Sequence, residues 1–455
     1  MFKKCNTDKL IKELDYIEVI SKSILENKDT FDEIQYIFCK IKDIKNTVKR
    51  LANKDTLDEV ELFELKNFAM STQEIIKNYN KLNLKIEYIN FKSLEKIIKI
   101  LDPENLKLST FYIYDSYSKD LAQIRKSKAT LENKIFKAVD IEKVEKLKIE
   151  RLEIIVQEEK EQLKIKKQLS NSLINYIEDI NVNMKSIGKL DFLIAKANLA
   201  IKYNGIKPII NKENKIYFKD LINPNMYKIL KLENKKYMPI SIDINKKTTL
   251  ITGANMGGKS VSMKTIVLNL YLFQCGFYVF AKQANLCVLD FIYLISDDMQ
   301  DINKGLSTFG AEIIKLKEIT RLMNLQDGFI ALDEFARGTN PVEGRTLLKA
   351  ICTYFKKFNS ISLISTHYDE VLLDDVDHYQ VVGLKNVDFE GLKRQIDLKI
   401  SQNSKCKKSI DILQENMDYR LEKVNKETKV PKDALNICKL LGLSNEIIEI
   451  ADKNL

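Results

Sequence analysis

The chain has 455 residues, 45% of them hydrophobic and 30% charged, with a formal net charge of +10 and no Trp. That length has room for two or three domains with cores of their own, and the composition is that of a soluble folded protein, which excludes a fibrous, disordered or membrane-embedded chain. The basic balance permits nucleic-acid contact without arguing for it. Only eight of the 74 basic residues are Arg, the side chain whose planar fork suits phosphates and bases. Seven Cys without any C-x-x-C pair predict neither a zinc site nor a disulfide framework, and reduced thiols are expected.

Met1 to Asp8 runs directly into a charged helical pattern with no signal-peptide character. Residues 1–204 carry apolar positions every three or four residues and few breakers: Pro103 is the one proline and Gly188 the one glycine. This predicts a helical region. Within it, Ile124, Leu131, Ile135 and Ala138 share one helical face, and Val144, Leu147, Leu152 and Ile155 another. A short antiparallel hairpin over about 125–165 is expected, with an ordinary solvated face on core helices as the alternative.

Composition shifts after Ala200, where Pro208, Pro224 and Pro239 enter with short β-branched runs. From Leu250 to Ser365, strand-like and helix-like segments alternate, with strands at 250–252, 278–280, 286–288, 293–296, 328–332 and 360–365 and helices at 261–272, 311–323 and 343–358. This predicts a mostly parallel sheet covered by helices, with ligand at its C-terminal edge. The most apolar stretch, Thr265 to Ala281, is interrupted by Asn269, Gln274 and Gly276 and is too short to span a bilayer. No membrane contact and a cytoplasmic location are expected. Two late strands are predicted at Arg394–Ile400 and Met417–Val424, joined by a polar loop, then a closing helical stretch from Ala434 to Leu455.

Gly253-Ala254-Asn255-Met256-Gly257-Gly258-Lys259-Ser260 fits the phosphate-loop pattern at every fixed position, between an apolar strand and a helix. The pattern predicts a bound nucleoside triphosphate, with loop N–H groups on its phosphates, Lys259 reaching the β- and γ-phosphates and Ser260 on Mg²⁺. Phe329 to Glu334 is an apolar strand ending in two carboxylates. Asp333 suits the Mg²⁺ shell, and Glu334 suits orientation of an attacking water. His367, after the apolar strand Ile361–Ser365, is placed to sense a γ-phosphate; a structural histidine is the plain alternative. His378 receives no role. Ser307 or Thr308 is the expected cap of the next helix, where a Ser can also bind a phosphate brought by another subunit.

These motifs together resemble the MutS family of ATPases. Thr252 to Ser260 is similar to its T-G-P-N-M-G-G-K-S, and Ser296-Asp297-Asp298 with Gly305 to Phe309 to its D-D…G-x-S-T-F. Asp333 to Thr339 is similar to its D-E-x-G-R-G-T, and Ser365 to Tyr368 to its [AS]-T-H-Y. The likeness reaches upstream to about residue 90, more weakly before 205, in Ile113 to Arg125 and Leu190 to Ala197, and strongly after 205 through Val430 to Leu443. The resemblance implies an α/β P-loop NTPase of the ABC type, like MutS domain V, over residues 205–455, preceded by an all-α lever and clamp region. It implies ATP and Mg²⁺, hydrolysis assisted by Glu334 and His367, and a homodimer or heterodimer in which Ser307 completes the partner's site.

Ala254 stands where the family has proline and Ala336 where it has glycine; both are small, and activity is expected to survive. Asn340-Pro341-Val342-Glu343-Gly344 is closer to branches not devoted to mismatch repair. Nothing before residue 90 resembles the mismatch-reading domain, and no nuclease domain is expected after the ATPase. Two partners follow as expectations: DNA, mismatched or structured, gripped by nucleotide-controlled helical arms, or a protein client. The client would be a cobalamin-dependent lysine or ornithine aminomutase awaiting reactivation.

Overall fold

The computed structural model describes residues 1–107, 112–253, 257–296, 308–368, 375–384, 391–392, 394, 417–424, 437–439 and 443–453. Its helices are α1 (Thr7–Glu26), α2 (Lys28–Lys40), α3 (Lys45–Ala52), α4 (Glu59–Lys81), α5 (Glu95–Leu101), α6 (Lys119–Lys137), α7 (Ile141–Leu173) and α8 (Ile177–Lys202). Then follow α9 (Pro224–Leu232), α10 (Lys259–Gln274), α11 (Thr308–Met323), α12 (Pro341–Phe355) and α13 (Asn445–Lys453). The strands are β1 (Ile209–Asn211), β2 (Ile216–Leu221), β3 (Ile240–Ile244), β4 (Thr248–Thr252) and β5 (Gln283–Cys287). The rest are β6 (Phe291–Ile295), β7 (Gly328–Asp333), β8 (Ile361–Ser365), β9 (Asp377–Gly383) and β10 (Asp418–Lys423).

Two compact units divide the chain: Val19–Ala195, and Met1–Glu18 with Lys196–Leu455. The helical unit is built from amphipathic helices with local start signals. Asp58 and Glu61 form a reciprocal capping box on α4, and Ser118 and Asp140 cap α6 and α7. Phe31, Ile34 and Ile37 recur at helical spacing on α2 and are buried. The α6 and α7 helices run antiparallel, because Glu132 meets Arg151 while Arg125 meets Glu158 further down. The expected apolar stripe is only partly enclosed: Leu131 is buried, but Leu152 is 59% exposed.

In the sheet unit, six strands lie in the order β10-β9-β4-β8-β7-β6, all parallel except β10, which runs antiparallel to β9. Every residue of β7 and β8 is buried, as strands covered on both faces require. A second sheet, β1-β5-β2-β3, is mixed. Met1–Glu18, read from sequence as part of the helical region, clusters with this unit. Leu10, Leu14 and Ile17 are fully buried there, the Glu13 carboxylate lies 2.7 Å from the ammonium of Lys196, and Lys4 pairs with Asp327.

Two sequence expectations change and a third is met with an unforeseen neighbour. Tyr278–Phe280 is no strand; Val279 makes one isolated bridge to Ile206. Arg394 is helical and not extended, while 395–400 lie outside the described residues. The strand over Met417–Val424 is present as β10, but its partner is β9, which the charged, His-containing sequence Asp377–Gly383 did not announce. Of the closing helical stretch, 437–439 and α13 are described and helical. No described helix is long and apolar enough to cross a membrane, and the described cysteines are all free.

Candidate nucleotide and metal site

Parallel order places the motifs side by side. The loop after β4, the carboxylates ending β7 and the His367 segment after β8 leave the same edge of three adjacent strands. That C-terminal edge, beside the strands' crossover, is where open α/β sheets bind ligands. Gly258, in left-handed backbone at φ +88°, is the N-cap of α10 and brings no side chain to its first-turn N–H groups. A Cβ there would lie 2.6 Å from the ring of Tyr419 on β10, so glycine is required by backbone and by space.

Lys259 opens α10 and is buried, its Nζ donating to the Gly253 carbonyl at 2.7 Å and lying 3.7 Å from the Glu334 carboxylate. Burial lowers its pKa, against the pull of Glu334 and Asp333. The Ser260 hydroxyl donates to Asp333 Oδ1 at 3.0 Å, and the Ser365 hydroxyl to the same oxygen at 2.5 Å. Burial still raises the Asp333 pKa above the ordinary carboxylate range, outweighing both hydroxyls. In both groups burial sets the direction of the shift, against the partners around them.

Glu334 takes left-handed backbone at φ +49°. Its N–H meets Ser365 through both the carbonyl, at 3.2 Å, and the hydroxyl, at 3.0 Å. Arg337 holds its carboxylate at 2.7 Å. His367 is exposed, with its ring 4.4 Å from that of Tyr368. Lys259, Ser260, Asp333 and Glu334 are thus brought together, and His367 stands on the same edge. Ala254, Asn255, Met256 and Ser307 lie outside the described residues.

Sequence reasoning passed over Tyr419, which walls the loop, and Ser365, the second donor to Asp333. It also gave nothing to His378. That histidine's Nε2 lies 2.7 Å from the Thr252 hydroxyl, directly before the loop, and burial lowers its pKa. Its signal was hidden because β9 was not foreseen.

Oxygen donors from Ser260 and Asp333 suit a hard cation such as Mg²⁺, which takes its remaining ligands from phosphates and water. No group of three or more His, Cys, Asp or Glu forms a self-sufficient metal cage among the described residues. The described geometry sets Lys259 and Ser260, at the start of α10, against the paired carboxylates Asp333 and Glu334 at the end of β7.

Residues 249–454 match the family model for MutS domain V. Similar curated proteins include Endonuclease MutS2 of Acetivibrio thermocellus, 29% identical over 66% of this chain and 34% of that protein. Endonuclease MutS2 of Caldanaerobacter subterraneus subsp. tengcongensis is 25% identical over 93% of this chain and 56% of its own length. The DNA mismatch repair protein MutS of Thermodesulfovibrio yellowstonii is 32% identical over 51% and 29%. The chain is similar to MutS-family proteins, over residues 249–454 in the domain V match, and spans between about a third and just over half the length of these MutS2 relatives.

Proposed function

We propose that this chain is an ATP-binding and ATP-hydrolysing member of the family that acts on DNA in a repair or recombination role. The observation that carries the reading is the convergence of Lys259, Ser260, Asp333 and Glu334 at the ends of β4 and β7. Residues 253–260 would hold the triphosphate, with Lys259 on its terminal phosphates, and Ser260 and Asp333 would hold Mg²⁺. Bound there, Mg²⁺ would neutralise charge developing on the transferred phosphoryl group. Glu334 would orient the attacking water and His367 would meet the γ-phosphate. In a homodimer or heterodimer, Ser307 would complete the partner's site, and nucleotide state would be passed to the α6–α7 hairpin.

DNA is favoured over a protein client because the relatives above are named as an endonuclease and a mismatch repair protein. The aminomutase-reactivating reading draws no support from them. A binding titration tests the DNA reading. Affinity for duplex or branched DNA should fall steeply between low and moderate salt as released counterions dictate, and should change when ATP is added. Absent binding at low salt, or an affinity indifferent to salt, would sink it.

A further inference from the structure

The turn after Asp333 is held at one residue by two others that have no part in the site so far. Ala336 is fully buried and, like Glu334, takes left-handed backbone, at φ +64°. For a residue with a Cβ that conformation costs roughly 1–2 kcal/mol, so the turn's shape is imposed by its surroundings and not by local preference. The Ala336 N–H donates to Glu312 Oε2 at 3.0 Å, and its carbonyl accepts from the Tyr368 hydroxyl at 2.8 Å. Glu312 lies one turn into α11, and Tyr368 follows His367 directly. Gly344 on α12 makes room for that hydroxyl: a Cβ there would come within 2.2 Å of it.

We propose that Glu312 and Tyr368 are positioning residues for the Glu334 carboxylate. They fix Ala336 from two sides, and Glu334 lies two residues away across a turn closed by the Arg337 N–H on the Glu334 carbonyl at 3.2 Å. A shift of α11, or of the segment bearing His367, is thereby passed to Ala336 and through the turn to the Glu334 carboxylate. Glutamate at 312 serves as an acceptor; an amide oxygen can replace it.

The inference rests on the ATPase reading, and its test separates the two. Steady-state Mg-ATP hydrolysis and binding of a non-hydrolysable ATP analogue are measured on the full chain. Glu312→Ala and Tyr368→Phe should each lower kcat by about 10-fold or more, the scale of a sub-ångström to ångström misplacement, with analogue affinity within about twofold. Glu312→Gln should recover most of kcat. The double variant Glu312→Ala/Tyr368→Phe should be no slower than the slower single, because both act through one turn. Losses that multiply, analogue affinity that falls in step with kcat, or full turnover in both single variants would overturn the inference alone. A wild-type chain without turnover would remove the ATPase reading and this inference with it.

Discussion

Two buried carboxylates of the helical unit and two buried groups at the end of the central strands are shifted in opposite senses. In the helical unit, Asp102 is buried, and burial pushes its pKa up. The Tyr114 hydroxyl at 2.6 Å and the N–H groups of Lys107 and Leu106 outweigh that and hold it below the ordinary range. Glu158 likewise ends below its ordinary value, with Lys128 and Arg125 overcoming burial. Lys66 beside Asp102 is the exception, lowered by burial. In the sheet unit the balance reverses: Asp333 ends high and Lys259 low, each because burial wins. At Asp102 and Glu158 hydrogen bonds and ion pairs outweigh burial; at Asp333 and Lys259 burial outweighs them.

This contrast can be broken by substitution. The largest effect is expected from Lys259→Met, which should weaken ATP binding by at least about 100-fold while the unliganded protein changes stability by less than about 1 kcal/mol. Isothermal titration and chemical denaturation read the two quantities, and a large stability loss would show the lysine to be structural.

Tyr114→Phe should do the reverse, lowering stability by about 2 kcal/mol at neutral pH, the scale of a hydrogen bond to a charged group, with ATP affinity untouched. The sign of its pH dependence follows from Asp102. A carboxylate with a depressed folded pKa contributes stability above its unfolded value of about 4, and that contribution is lost as pH falls through the folded pKa. The penalty of Tyr114→Phe should therefore shrink in acid, and denaturation curves at neutral pH and near pH 3 would show it.

Ser365→Ala is the smallest change. It removes one hydroxyl from Asp333 but leaves Ser260 on it and the Ser365 carbonyl on the Glu334 N–H. A stability loss of about 1 kcal/mol and an Mg²⁺ half-saturation shifted within about threefold are expected, measured by denaturation and by metal titration of turnover.

Most of the sheet unit was legible because its strands and helices carry different periods and its loop motif demands a strand before and a helix after. The carboxylates of β7 could be placed from sequence for the same reason. What could not be read depends on neighbours far apart in the chain. Asp377–Gly383 is too polar at its start to announce a central strand, yet it pairs with β4 and brings His378 to Thr252. Ala336 looked like a harmless replacement for glycine, and only its φ of +64° shows that the position asks for one. Met1–Glu18 has the periodicity of any amphipathic helix, and periodicity does not say which core receives it.

Turnover by Glu334→Gln in purified protein tests the central claim most directly. Wild-type chain should hydrolyse ATP only with Mg²⁺. The variant should bind ATP as tightly and turn it over at least about 100-fold more slowly, as loss of an electrostatic or base catalyst implies. Equal turnover by variant and wild type would contradict the role given to the carboxylate at the end of β7.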